Sequence, residues 1–161
     1  MIKPLRWFAL VLFTLLPALA SAQQHGLEID IIGGNASALP ITVVPMPYQG
    51  TAAAPATDVA AVVRADLERS GAFRTLPVAS ITERPTRGGE IQYPTWRALR
   101  QDYLVVGRVA DAGDGSYRVE YELFDVAKQQ RLLGLAMTAR ASAMRDVAHQ
   151  MADAIYEKIT G

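Results

Sequence analysis

Hydrophobic and polar positions alternate with period two at the start of the chain that follows the leader. Leu27, Ile29 and Ile31 alternate with Glu28 and Asp30, which predicts a strand with one wet face. Gly33-Gly34-Asn35 closes it, where positive φ is cheap. A second strand is expected at Ile41 to Met46, centred on Val43 and Val44 and stopped by Pro45 and Pro47. Residues Tyr48 to Ala56 are small, contain Gly and Pro, and read as a loop.

The period then changes. Val59, Val62, Val63 and Leu67 fall on one helical face, with Thr57 or Asp58 as its cap and Gly71 as a left-handed stop. A short strand, Phe73 to Leu76, follows. Residues 77 to 92 carry two prolines and Gly88-Gly89 and read as an irregular surface loop. Pro94 suits the first position of a short helix carrying Trp96 and Leu99. Tyr103 to Val109 is a continuous apolar run of the buried-strand kind, and Asp111 to Gly115 a hairpin turn. Tyr117, Val119, Tyr121 and Leu123 alternate against Arg118, Glu120 and Glu122, and a third meander strand is expected near Leu132 to Thr138. The last element is an amphipathic helix from Ala143 to about Ile159, with the stripe Met144, Val147, Ala148, Met151, Ile155 and Ile159. These elements predict an α/β (α+β) fold: a mixed β-sheet with an antiparallel meander, covered by two main helices.

The first residues decide the compartment. Lys3 and Arg6 precede the apolar run Trp7 to Leu16, Pro17 breaks it, and Ala20-Ser21-Ala22 offers small residues to a signal peptidase. Roughly ten apolar residues before the proline are too few to span a bilayer, so residues 1–22 read as a cleaved signal peptide. The expected mature domain is residues 23–161, a length of 139 residues, which suits one core. It carries 14 basic against 16 acidic residues, a net charge of −2 with both histidines neutral. With no basic run, nucleic acid is not an expected partner. There is no cysteine, so no disulfide and no thiolate metal site.

The candidate chemistry is thin. His25 and His149 are the two histidines, no Gly-x-Ser-x-Gly elbow occurs, and no Lys-bearing phosphate loop follows a strand. Two distant histidines without Cys make no metal cluster. Asp111 to Ser116 has some of the acids of a calcium loop, but it lacks the distal Glu and reads as a β-turn. No catalytic, cofactor-binding or metal-binding residue and no small-molecule substrate are therefore expected. Asp66 is the local contradiction: it lies seven residues after Val59, on the face of the valines. A carboxylate there must be hydrogen-bonded or paired: it is either an acid–base group or, since nothing around it completes a mechanism, a structural acceptor from a backbone amide or an Arg. Arg145, His149 and Asp153 recur every four residues beside the apolar stripe of the last helix. They form either a solvated face or a contact face for another domain.

Several ordered motifs together resemble a known family. They are the leader, Leu27-Glu28-Ile29-Asp30-Ile31-Ile32-Gly33-Gly34, Leu39-Pro40-Ile41-Thr42-Val43-Val44-Pro45-Met46, and Asp66-Leu67-Glu68-Arg69-Ser70-Gly71-Ala72-Phe73. Asp102 to Val109, Gly113 to Tyr117, and Ala148-His149 with Ala152 to Gly161 complete the set. In this order they resemble the amino-terminal domain of the TolB family of the Tol-Pal system. The resemblance implies a periplasmic interaction module, peripherally associated with the envelope, that supports outer-membrane constriction at division and envelope integrity. It implies TolA binding through the mature N-terminal strand, with Leu27, Glu28, Ile29, Asp30, Ile31, Ile32, Gly33 and Gly34 as partner-binding residues. It places Pal binding on a C-terminal propeller, which would begin where this sequence stops, so Pal is expected only where a propeller is present. Arg145, His149 and Asp153 are then candidate interdomain residues. The alternative is another periplasmic assembly or adaptor domain of the same fold with a different partner.

Overall fold

The computed structural model of the chain describes residues 37–161. The expected signal peptide and the strand at Leu27–Ile31 lie outside the described residues.

The architecture is organised by one strand. β4 (Tyr103–Gly113) sits inside the six-stranded sheet, and its side chains alternate between two separate apolar clusters. Val105 and Val109 face one cluster, while Leu104 and Val106 face the other. A strand covered on both faces reads as an unbroken apolar run, and that is why Tyr103–Val109 looks as it does in the sequence. On one side of β4 lies a parallel block: β1 (Leu39–Val43), which pairs with β4, and then β3 (Phe73–Thr75). On the other side the antiparallel meander continues through β5 (Ser116–Asp125) to β6 (Gln130–Arg140). The sheet order is β3-β1-β4-β5-β6. A mixed sheet with an antiparallel meander is what the periodicity predicted.

Helix α1 (Val59–Arg69) leads into β3. The Asp58 carboxylate accepts a hydrogen bond from the Ala61 amide at 3.0 Å, so Asp58 rather than Thr57 is the cap. At the other end Gly71 takes φ +74°, the left-handed conformation the sequence assigns to it. The long helix α3 (Met144–Thr160) packs on the same sheet face. Val59, Val63 and Leu67 of α1 meet Val147, Met151 and Ile155 of α3 over Ile41, Val105, Val119 and Tyr121, all buried. Val62, expected among the buried residues, is half-buried: it packs against this cluster from its rim.

Three expectations need correction. The second strand is Leu39–Val43, not Ile41 to Met46. Val44 is buried in the second cluster and still donates to the Val105 carbonyl at 2.9 Å; the chain leaves the ladder at Pro45, which has no amide to donate, and the Pro47 carbonyl accepts the Val109 amide at 3.0 Å. Tyr48 to Ala56 is not wholly loop, because β2 (Tyr48–Gln49) rejoins the parallel edge of β4 opposite Val109 and Ala110. Residues 77 to 92 are irregular but do not merely lie on the surface. They include two short 3₁₀ turns and bury Ile81 and Ile91 against the second sheet face. With Trp96 of the short helix α2 (Tyr93–Ala98), they cover Leu104, Val106, Phe124 and Val126. The physical reason is that β4 and β5 present apolar side chains on both faces, and the second face has no long helix to cover it.

The β4–β5 hairpin is tighter than expected. Its central residues are Asp114 (φ 50°) and Gly115 (φ 71°), a positive-φ pair matched to the right-handed twist of the strands. Beneath the sheet, buried Thr42 donates to the Gln101 side-chain oxygen at 3.0 Å, and Gln101 donates to the Leu99 carbonyl at 2.9 Å. This pairing satisfies the two polar groups that burial would otherwise penalise.

Val63 and Met151 are fully buried on the two facing helices. Val63→Ala should lower stability by about 1–3 kcal/mol and Met151→Ala by about 2–5 kcal/mol. Urea denaturation checks both; unchanged midpoints would contradict the helix packing.

Candidate protein-interaction site

Leu27 to Gly34, the segment carrying the expected partner contacts, lies outside the described residues. The other candidate residues stand on α3. This helix is oriented by its apolar stripe and favoured by Asp146 in its first turn and Lys158 in its last, each matching the helix dipole. Arg145 and Asp153 are exposed on its flank. His149, between them, is only half-exposed and is not free.

His149 faces Asp66 of α1, its Nδ1 lying 2.5 Å from Asp66 Oδ2. Arg69 donates to the other carboxylate oxygen at 2.7 Å. The Asp66 side chain keeps 16% of its surface and that of His149 41%, so the pair closes the seam between the helices at its solvent edge. Burial by itself would raise the Asp66 carboxyl. Hydrogen bonds from His149 and Arg69, reinforced by their charge, outweigh it and hold the group below the usual carboxylate range. Asp66 is therefore less buried than its place on the valine face suggests, and it accepts from Arg69 and His149, with no backbone amide among its partners. The sequence marks Asp66 and His149 separately. Their partnership across 83 residues follows from the packing of α1 on α3.

An Asp–His pair can orient an imidazole for proton transfer, but a relay needs an acceptor or nucleophile beyond it. Among the described residues, no hydroxyl or thiol hydrogen-bonds His149, and no group of three His, Cys, Asp or Glu could hold a metal ion. The geometry is that of an interhelical tie.

The sheet face opposite α1 and α3 is divided. One part is apolar and covered by residues 77 to 100; the other is polar and open. On the open part Arg108 and Arg118 both bind Glu120, and Arg131 donates to Glu122 at 2.8 Å. The hydrogen bond from Arg118 leads in holding Glu120 below its ordinary pKa, against burial and with help from Arg108. Glu122 also accepts the Gly88 amide at 2.7 Å, which fastens the irregular loop to the sheet. These side chains border an open depression of about 410 Å³. Sequence reading left this network unmarked. The only signal was Arg118, Glu120 and Glu122 on the wet face of β5.

The fold and its surfaces define a class: a mixed-sheet α/β domain with paired helices on one face and charged, accessible surfaces on the other. Residues 27–132 match the family model of the TolB amino-terminal domain, and the chain belongs to that family. It is 74% identical over 159 residues to the Tol-Pal system protein TolB of Xanthomonas campestris pv. campestris strain B100, covering 99% of this chain and 36% of that relative. The chain thus spans about a third of the length of such relatives. Among solved structures, TolB from Acinetobacter baumannii superposes with a TM-score of 0.62 at 33% identity, covering 77% of this chain and 29% of the other. The LpoB C-terminal domain from Salmonella enterica shares the fold at a TM-score of 0.51 and 10% identity, covering 66% and 84% respectively. No helix among the described residues is long and apolar enough to cross a membrane.

Two outcomes are expected. Asp66→Asn should cost about 1 kcal/mol, because the pair is partly solvated. A depressed carboxylate contributes its stability above the unfolded pKa of about 3.9 and loses it as pH falls through the lower folded value. The gap between parent and Asp66→Asn should therefore be present at about pH 5 and close below about pH 4 in denaturation series. Arg145→Ala with Asp153→Ala should leave the unfolding free energy within about 0.5 kcal/mol of the parent in the same series, as for other exposed sites.

Proposed function

We propose that this chain is a non-enzymatic interaction module of the Tol-Pal envelope system, acting in the periplasm after cleavage following Ala22. Its mature N-terminal strand binds TolA, and it supports outer-membrane constriction and envelope integrity. The observation that carries this reading is the family match, which begins at Leu27, the first residue of the alternating segment Leu27 to Ile31. Strand addition suits that segment: backbone hydrogen bonds supply affinity, and alternate side chains supply specificity. Leu27, Ile29 and Ile31 would enter pockets on the partner sheet, with Glu28 and Asp30 turned to water or basic groups. Gly33 and Gly34 give the hinge.

Arg145, His149 and Asp153 are proposed to face the further domain that the longer relatives carry, and Pal is a partner only where that domain is a propeller. Replacing the three with Ala should weaken docking of a separately supplied propeller. The exposed Arg145 and Asp153 substitutions should do so without loss of fold.

The deciding test is calorimetric titration with the C-terminal domain of TolA. The mature chain should bind, and a form lacking residues 23 to 34 should not. Changing Ile29 and Ile31 together to Asp should abolish binding while leaving the denaturation midpoint unchanged. Equal affinity of the shortened form would refute the assignment and favour an adaptor with a different partner.

A further inference from the structure

We propose that the outer edge of β6 accepts an extended segment of another protein whose alternate side chains are apolar and acidic. This is a different edge from the proposed TolA-binding strand, with the chain as acceptor rather than donor.

β6 is the terminal strand of the sheet order, eleven residues long, and among the described residues it pairs on one side only, with β5. Such an edge offers a row of unpaired amides and carbonyls. Natural edges are usually blunted by charge, proline or short length. Here the stretch Leu132 to Ala139 contains no charged residue and no proline, and Leu135 at its middle is 45% exposed.

The two faces flanking this edge differ in a way that specifies the guest. On the helix side, Leu133, Leu135 and Met137 follow the register of Leu123, Tyr121 and Val119, which are core residues. An open groove of about 460 Å³ lies there, between Leu133 and the end of α3 at Ala154, Glu157, Lys158 and Gly161. Apolar side chains of an added strand would extend the core into it. On the opposite side, β6 presents Gly134 and Ala136, whose lack of bulk leaves the depression bordered by Arg108, Glu120, Glu122 and Arg131. Arg118 and Arg140 share this face by register, Arg140 lying opposite Ser116. Arg108, Arg118, Arg131 and Arg140 outnumber Glu120 and Glu122, giving the face a charge of +2, and Arg140 has no ion-pair partner among the described residues. Strand period two places alternate side chains of a guest on these two faces. Apolar groups belong on the first, carboxylates on the second.

The probe is a synthetic peptide of about nine residues in which Ile and Glu alternate. Added to the chain, it should shift β6 amide resonances selectively and slow their hydrogen exchange. A scrambled peptide of equal composition, and one with Lys for Glu, should bind at least about tenfold more weakly. Leu135→Asp should weaken binding of the alternating peptide by about tenfold or more. Arg131→Glu with Arg140→Glu, both at exposed positions, gives a second reading should Leu135→Asp disturb the fold, and it should also weaken binding. Equal binding of the scrambled peptide, shifts away from β6, or full affinity in the double charge reversal would overturn the proposal. So would β6 shifts that appear without peptide as protein concentration rises, because a second copy would then be the occupant.

Discussion

The structure depends on the double burial of β4. Its Val105 and Val109 belong to the core shared with the two helices, and its Leu104 and Val106 to the core under the irregular segment. A strand with both faces apolar cannot lie at a surface, so each face must be covered by something. α1 and α3 cover one. The other is closed by Ile81, Ile91 and Trp96, carried on a segment with almost no regular structure. The segment is held by side-chain anchors and by the Gly88–Glu122 hydrogen bond rather than by a ladder of its own.

The helix pair has its own constraint. α1 and α3 pack through Val63, Leu67, Met151 and Ile155, and the solvent edge of that seam is occupied by Asp66, Arg69 and His149. A carboxylate on the border of an apolar face would be costly alone. With a partner from each helix it becomes a register mark, fixing which turn of α1 meets which turn of α3. This leaves Arg145 and Asp153 as the members of the α3 polar row without an ion-pair partner among the described residues.

The functional surfaces follow from where burial stops. The face under α1 and α3 is closed, whereas the flank of α3 and the far end of the sheet stay accessible. At that far end the apolar half of the second face gives way to arginines and glutamates, and β6 ends the sheet without a neighbour among the described residues. Strand edges, with the charge pattern beside them, are the kind of feature by which a fold can recognise an extended segment.

Periodicity in the sequence was enough for most of the elements among the described residues, the helix cap at Gly71, the β4–β5 hairpin and the identity of nearly all the core residues on α1 and α3. These are local matters: a period of 3.6 or 2, a capping carboxylate, a positive-φ pair. The motif order was also enough for the family. Tertiary structure decided the rest. Val62 could not be separated from Val63 by phase alone, because its burial depends on how α1 leans on the sheet. The prolines at 45 and 47 suggested an end, and only β4 alongside shows the chain resuming the ladder at Tyr48. Ile81 and Ile91 have no period to reveal them, since irregular backbone aims side chains without a repeat. The Asp66–His149 pair and the Arg–Glu network of the sheet face join residues far apart in the chain. Such contacts are set by the crossing of helices and the register of strands, which no local spacing encodes.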